Sequence, residues 1–395
     1  MKNLIQNSER LHSLDALRGI MMLLGLIIHS AVTYGSADYG GAWRLKDPLT
    51  THFANDYIAL LIHVFRMPIF FLIAGFFGAL LFYDKGTLGM LKNRFKRILL
   101  PFLVFLPILN FCLIIGFKYT MGVFDNDVTP FLSAIQIFEN PLAFIPLSTF
   151  HLWFMYYLIL ISLFFVGFGL LFKTVPHVSE LIKDKFSIVI QNPLLRLTLF
   201  PLCSYGVYLF IGIERVETST SYIPDVNTFV FYSSFYLVGW LLFKSKEQLD
   251  SLKKWDWLST ILGCVLFSIQ FFNYTSFGFQ ELIIINSFMG WLFCFGITGL
   301  FIRYASKHSA RMRYISDASY WVYLVHLIFS AFLPGMIVNY PIPSTAKFLL
   351  VASITGIVCF TSYKYFVRGS FIGKFLNGKR YTSKKPSKMK QAPLN

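Results

Sequence analysis

The chain has 395 residues, of which 56% are hydrophobic and only 14% are charged, against roughly 25% charged in soluble domains. This composition excludes an ordinary soluble enzyme and predicts an all-α integral membrane protein that crosses the bilayer many times. The formal net charge is +16, but the basic residues are grouped in alternate loops and in the C-terminal tail. That grouping is typical of membrane topology and argues against a nucleic-acid partner.

Ten hydrophobic runs are long enough to span the bilayer, and they lie near 14–34, 56–83, 98–118, 151–172, 195–212, 227–243, 257–274, 282–302, 315–336 and 345–366. Loops on one side hold 27 of the 35 lysine and arginine residues, loops on the other side hold 5, and 3 lie within spans. The positive-inside rule therefore predicts that both termini are cytoplasmic. We expect a cytoplasmic N-terminus (1–12), a membrane domain (13–367) and a basic, disordered tail (368–395) that touches anionic lipid.

The first predicted span contains two ionisable side chains, Arg18 and His29. A charge in the hydrocarbon region costs at least ~2.5–3.5 kcal/mol, so such a residue is a candidate for function. Eleven helical positions turn through roughly 1100°, which leaves both side chains on one helix face about 16 Å apart. We predict that His29 takes a hydroxyl proton and that Arg18 anchors a phosphate or carboxylate. A histidine hydrogen-bonded within the bundle and an interface arginine paired with Asp15 are the alternatives.

The second predicted span carries His63 and, one turn later, Arg66. Arg66 lies too deep in the apolar run for its side chain to reach the interface, so it has to face protein or water. We predict that Arg66 opposes an anion or oxyanion, with a structural ion pair as the alternative; His63 could serve either purpose. The span is longer than the bilayer requires, which indicates a tilt, or a kink or break around Pro68.

Further candidate residues lie in the fourth and ninth predicted spans. His151 and Trp153 begin the fourth span, and Tyr323 and His326 lie in the middle of the ninth. We predict that these residues contribute to substrate binding. Aromatic anchoring at the membrane interface would explain Trp153, and a polar seam between helices would explain His326. The five cysteines fall in apolar runs without CxxC spacing, so we expect neither a disulfide framework nor a metal site.

A basic segment connects the second and third predicted spans. It contains Lys92, Arg94, Lys96 and Arg97 and ends at Pro101. Anchoring by the positive-inside rule is enough to explain these charges. Their density also suits a phosphate-bearing ligand that arrives from the cytoplasm, and we predict that the four basic residues bind such a ligand.

Five segments, in order, resemble motifs of the acyltransferase-3 family of membrane proteins. They are LDALRG (14–19) followed by His29, FFLIAGFF (70–77), the basic helix start (94–101), HLWF (151–154), and SY with YLVH (319–326). Ala74 stands where the family usually carries serine. The resemblance covers roughly residues 10–367, and the segment HVFRMPIFF looks most like the glucan succinyltransferase branch of the family.

The resemblance implies about ten helices in the bacterial inner membrane and a cytoplasmic acyl-coenzyme A donor, with no permanently bound cofactor. The acyl group, succinyl in that branch, would be delivered to a hydroxyl of a carbohydrate or glucan at the outer face. The resemblance also implies that His29 is the catalytic histidine, Arg18 the motif arginine, and Arg66 the second-helix arginine of the branch. The chain would act alone, as a homo-oligomer, or with envelope-assembly partners.

Two other functions fit the same residues. Intramembrane arginine and histidine also serve an exporter or permease for an anionic or sugar substrate, although the sequence has no paired half-repeats or matching broken segments. The chain could also be a scaffold subunit of an envelope-assembly complex, in which case Arg18 and His29 would tolerate alanine. We expect the acyltransferase, because five motifs in the family's order are more specific than any of them alone.

Overall fold

A computed structural model describes residues 2–216 and 218–378, with side chains from residue 12 onward. This described chain is all-helical. Its 13 α-helices are α1 (Lys2–Ala31), α2 (Phe53–Arg94), α3 (Leu100–Phe124), α4 (Pro130–Gln136), α5 (Trp153–Thr174), α6 (Pro176–Gln191), α7 (Pro193–Ile211), α8 (Val226–Lys244), α9 (Asp256–Asn273), α10 (Phe279–Tyr304), α11 (Ala310–Ile337), α12 (Ser344–Ser362) and α13 (Phe371–Asn377).

Nine continuous helical stretches of the described chain are long and apolar enough to cross a membrane. One of them, 53–124, contains two crossing helices, because α2 and α3 are joined through a turn of π-helix at Phe95–Leu99. The prediction of an all-α membrane bundle with about ten crossing helices is confirmed. The side that faces the cytoplasm stays a prediction.

The crossing helices alternate in direction, so their connections lie at two ends of the bundle. We call the end at which α1 finishes the His29 end, with the connections 32–52, 125–152, 212–225, 274–278 and 338–343. The opposite end, which carries most lysine and arginine residues, is called the basic end. There His12, in α1, lies with its ring 5.2 Å from that of His308, just before α11.

The beginning of the C-terminal tail differs from the predicted disorder. Residues Phe371–Asn377 form α13, and Arg97 Nη1 donates to the carbonyl oxygens of Lys374 and Phe375 at 3.1 and 2.9 Å. The guanidinium therefore holds α13 against the basic end. The remaining part of the predicted tail, 379–395, lies outside the described residues.

Helix α2 is interrupted near its basic end, and the interruption is not at Pro68. Within α2 only Gly86 has non-helical torsion angles, with φ 73° and ψ 172°. A glycine adopts this left-handed region without the clash that a Cβ would cause. The predicted span 56–83 is therefore one helix that continues through Pro68, and the shorter piece of α2 after Gly86 lies beyond it.

Helix α2 packs along α8 at a very close crossing. A Cβ at Gly75 would lie 2.0 Å from the carbonyl oxygen of Tyr236, and a Cβ at Gly239 would lie 1.8 Å from that of Leu72. Only glycine fits at these two positions, as is common where membrane helices approach closely. The crossing fixes the position of α2, which carries both His63 and Arg66.

The connection between α1 and α2 is held inside the His29 end by a buried ion pair. Lys347 Nζ lies 2.9 Å from Asp47 Oδ2, and the two side chains are 1% and 0% exposed. Lys347 also donates to the carbonyl oxygen of Val338, and Asp47 Oδ1 accepts from two backbone N–H groups of its own loop. Removing one partner of such a pair is strongly destabilising, because the other charge stays buried. The loop therefore has a fixed position over the end of α1.

Candidate active site

Three histidines from different parts of the chain meet near the His29 end. The rings of His29 and His326 have centroids 5.4 Å apart, and the rings of His326 and His151 are also 5.4 Å apart. His29 comes from α1, His326 from α11, and His151 from the turn before α5. Arg66 of α2 lies within electrostatic reach of all three rings. The structure thus brings four of the predicted site residues into one cluster, which we call the histidine cluster.

Arg66 reaches the cluster across a glycine of α1. A Cβ at Gly25 would lie 2.8 Å from Arg66 Nη1, so a larger residue at position 25 would displace the guanidinium. Gly25 lies one helical turn before His29, which places the guanidinium on the same side of α1. No hydrogen bond or ion pair joins Arg66 to any residue in the described part of the chain. An arginine that keeps five N–H donors free inside a membrane bundle is suited to bind an anion.

His29 likewise keeps its hydrogen-bonding groups available. Neither of its ring nitrogens bonds to a residue that the structure describes. His29 and Arg66 both lie among the helices of the bundle, and both side chains remain partly exposed, so a small molecule can contact each of them. The imidazole can therefore accept a proton from a molecule that reaches it.

The other two histidines are fixed by backbone carbonyls. His326 Nδ1 lies 3.0 and 2.8 Å from the carbonyl oxygens of Val322 and Tyr323, and His151 Nε2 lies 3.0 Å from that of Leu324. A carbonyl accepts only, so each of these nitrogens carries the proton in the neutral ring. His326 Nε2 and His151 Nδ1 are then unprotonated, and both are buried without a described partner. Both rings thus have a free lone pair inside the cluster.

Trp43, from the loop between α1 and α2, covers His29. The two rings are stacked with centroids 5.3 Å apart at 25°, and the indole N–H donates to Thr33 Oγ1 at 2.9 Å. Trp43 also borders an opening of about 240 Å³ at the His29 end. Tyr39 lines the same opening, where burial and its hydrogen bond to Asp56 raise the pKa of the phenol. Trp43 thus stands between His29 and the exterior.

Sequence reasoning missed Trp43 and Gly25. Trp43 lies in a polar, glycine-rich loop, and no periodicity or motif distinguishes it. Gly25 looks like any glycine in an apolar helix until a neighbouring arginine is seen to occupy the space of its side chain. Both contacts depend on which helices are neighbours, so only the structure reveals them.

Three of the predicted substrate-binding residues, Tyr323, Trp153 and His63, are not members of the histidine cluster. Tyr323 donates its hydroxyl to the carbonyl oxygen of His151 at 2.7 Å, and so positions that residue. Trp153 packs against Tyr232, with ring centroids 5.6 Å apart. His63 lines a separate cavity, on the side of α2 that faces α8, α9 and α10. Tyr323 therefore borders the histidine cluster through its hydrogen bond to His151, whereas Trp153 and His63 have other neighbours.

Arg18 is not brought to the histidine cluster. Its guanidinium lies 2.7 Å from a carboxylate oxygen of Asp15, and both side chains are 40% exposed. The same guanidinium stacks over the ring of Phe77 at 5.6 Å. This geometry agrees with the alternative of an interface arginine in an i,i+3 ion pair. Arg18 and His29 belong to the same helix, but Arg18 lies too near the basic end to reach His29.

The basic segment that was predicted to bind a ligand has two kinds of residue: two arginines bonded to the protein itself and two exposed lysines. Arg94 donates to the carbonyl oxygen of Ala74 at 3.3 Å, and Arg97 donates to α13 as described above. These two guanidinium groups therefore serve the protein's own structure. Lys92 and Lys96 are exposed at the basic end and remain available to a ligand. Because Arg94 bonds to the backbone of Ala74, that contact does not need the serine that the family usually carries.

Comparison with known proteins gives one family. Residues 11–364 match the acyltransferase domain that defines the acyltransferase-3 family. "Glucans biosynthesis protein C" of Salmonella paratyphi B is 25% identical over 343 residues, which cover 82% of this chain and 85% of that protein. The protein of the same name from Escherichia coli (strain SMS-3-5) is 27% identical over 357 residues, with 82% and 84% covered. No solved structure matches this chain.

Proposed function

Since the chain belongs to the acyltransferase-3 family and is a multi-pass membrane acyltransferase, we propose that it moves an acyl group from cytoplasmic acyl-coenzyme A to a carbohydrate hydroxyl across the bacterial inner membrane. The observation that carries the proposal is the pairing of His29 with Arg66. Both side chains are partly exposed, and neither has a hydrogen-bond partner in the described chain.

The proposed reaction is a direct transfer. His29 accepts the proton of the acceptor hydroxyl, and the oxygen attacks the thioester carbonyl. Negative charge develops on the carbonyl oxygen, where the Arg66 guanidinium stabilises it. The tetrahedral intermediate then collapses, the carbon–sulfur bond breaks, and the proton held by His29 passes to the departing thiolate.

A covalent route uses the same residues. In that route an imidazole nitrogen of His29 attacks the thioester, coenzyme A leaves as the thiol, and the acyl-imidazole passes its acyl group to the hydroxyl. The two routes differ in an observable way. Incubation with labelled donor and no acceptor leaves label on the protein only in the covalent route.

Donor and acceptor are proposed from different observations. Lys92 and Lys96 are exposed beside the turn between α2 and α3, and can attract the phosphates of coenzyme A. A glucan is the acceptor that we propose, because both relatives reported above are named for glucan biosynthesis. A succinyl group is the acyl unit that we propose, on the resemblance to the succinyltransferase branch.

The decisive experiment is transfer from labelled acyl-coenzyme A to glucan in membranes, with mass spectrometry of the glycan. We expect one added acyl unit with the wild-type chain and a loss of at least ~100-fold with His29→Ala, because no base is left for the hydroxyl proton. His177→Ala is the matched control, since His177 is exposed on α6 at the basic end. An active His29→Ala protein would discard the mechanism, and solute flux without donor consumption would indicate a permease.

A further inference from the structure

A second cavity lies beside the histidine cluster. It has a volume of about 350 Å³ and is enclosed by α2, α7, α8, α9, α10 and the connection after α7. Glu214, Arg215 and Tyr274 belong to connections at the His29 end, so the cavity opens at that end. Its volume is within the usual range for a small-ligand site.

The walls of this cavity combine aromatic faces with fixed polar groups. Tyr208, Tyr232 and Phe271 are among its seven aromatic lining residues. Gln270 Nε2 donates to Asn286 Oδ1 at 3.0 Å, and Asn286 Nδ2 donates to the carbonyl oxygen of Glu214 at 2.7 Å. The Gln270 amide is therefore held with its own carbonyl oxygen free of described partners. Aromatic faces accept the apolar face of a sugar ring, and oriented amides accept its hydroxyls.

His63 adds a polar group without a partner to the same cavity. Neither ring nitrogen of His63 bonds to a described residue, and the side chain lines the cavity. Arg215 is exposed at the rim and lies within electrostatic reach of His63. A lipid tail would leave these groups unsatisfied, at a cost of about 1–3 kcal/mol for each buried polar group. A hydroxyl-rich ligand satisfies them.

The cavity adjoins the part of α2 that carries Arg66. Its wall residue Tyr232 interacts electrostatically with Arg66, and His63 precedes Arg66 by one turn of α2. Arg66 thus follows a cavity-lining residue by one turn of α2, while its guanidinium belongs to the histidine cluster.

We propose that this cavity binds a sugar unit of the acceptor glucan. The assignment rests on the proposed function for the identity of the sugar. It adds a binding site for one glucose unit, which His63 and Gln270 contact through hydrogen bonds and Tyr232 through its aromatic ring.

The test fills the cavity without disturbing the packing. A Cβ at Gly290 of α10 would meet only Phe235 Cζ, at 4.0 Å, so Gly290→Leu projects its side chain into the cavity. Gly206→Leu is the matched control, because Gly206 lies on the exposed side of α7 and a Cβ there meets nothing within 4 Å. Binding of a glucose trisaccharide is measured by calorimetry on the full chain carrying His29→Ala, in detergent. We expect Gly290→Leu to weaken binding at least ~10-fold and Gly206→Leu to leave it unchanged.

A second variant guards against misfolding. Gln270→Ala adds no volume to the cavity but removes the amide, both its free carbonyl oxygen and the Nε2 donor to Asn286. We expect it to weaken trisaccharide binding ~5–10-fold, as the loss of about one hydrogen bond to the sugar implies. Gln136→Ala, on the exposed α4, is its control. Undiminished binding in Gly290→Leu, no binding in the parent protein, or preferred binding of phosphatidylglycerol would each overturn the proposal. Wild-type transfer to glucan together with undiminished binding in Gly290→Leu would refute the cavity assignment alone, whereas absent transfer would refute the proposed function.

Discussion

Replacing Arg66 by methionine should stabilise the protein while it abolishes transfer. Arg66 lies inside the bundle without a hydrogen bond or ion pair to any described residue, so the protein does little to offset the desolvation of its charge. An arginine at membrane depth costs at least ~2.5–3.5 kcal/mol, and methionine fills a similar space without charge. We expect the free energy of unfolding to rise by about 1–3 kcal/mol in Arg66→Met. Transfer should fall ~100-fold or more, as when an oxyanion donor is removed.

Arg196 provides the matched control. It is 0% exposed, and its guanidinium donates to the carbonyl oxygens of Ile190 and Ser251 at 2.9 Å each and also to that of Lys254. Arg196→Met orphans these buried acceptors, and we expect it to lower the free energy of unfolding by ~2–5 kcal/mol. Unfolding is followed by tryptophan fluorescence as SDS is titrated into dodecyl maltoside micelles, and transfer is measured on the same preparations well below the transition.

The opposite signs of the two variants are the test. If Arg66→Met destabilises the protein as much as Arg196→Met, Arg66 has a structural partner and the reasoning about its free donors is wrong. If Arg66→Met is more stable but still transfers the acyl group, the charge of Arg66 lowers the free energy of unfolding, yet Arg66 has no part in stabilising the oxyanion.

Three further variants test separate parts of the structure. Trp43→Ala uncovers His29, so hydrolysis of the donor should rise several-fold relative to transfer, measured as free acid against acylated glycan; an unchanged ratio would contradict the covering role. Lys347→Met leaves Asp47 charged and buried and should lower the free energy of unfolding by ~3–5 kcal/mol in the SDS titration. Asp47→Leu in the same chain should recover most of that loss, and a double variant as unstable as the single one would refute the pairing. Arg18→Gln breaks a half-exposed ion pair, so stability should change by less than ~1 kcal/mol and transfer by less than about threefold; a loss like that of His29→Ala would restore Arg18 to the active site.

Hydropathy and charge were enough to locate the crossing helices, because a span needs about 20 apolar residues whatever its neighbours are. The predicted span 227–243 corresponds to α8 at Val226–Lys244, and 257–274 corresponds to α9 at Asp256–Asn273. For the long second span the sequence predicts a tilt, or a kink or break around Pro68. Proline often interrupts a helix, but α2 is not broken at Pro68, and its one residue with non-helical torsion angles is Gly86.

Each member of the histidine cluster can be recognised individually from the sequence, since placing an ionisable group in the hydrocarbon region costs free energy in any fold. Their grouping was not, because nothing in one sequence says that α1, α2, α11 and the start of α5 adjoin one another. Arg18 gave the same signal as Arg66. The two arginines differ in their depth in the membrane. Arg18 is close enough to the basic end to pair with Asp15, and both side chains are 40% exposed. Helix periodicity gives the direction of a side chain but not its neighbours on the next helix.

The contact between Arg97 and α13 decides where the protein can be cut or extended. Asn377, at the end of α13, also donates to the carbonyl oxygen of Asp317, so the short helix is attached at two points. A purification tag or fluorescent reporter attached after Gly378 leaves both attachments in place. A boundary drawn at the end of α12 would deprive Arg97 of both acceptors and loosen the turn that carries Lys96, so a shortened protein would lose donor affinity for a reason unrelated to catalysis.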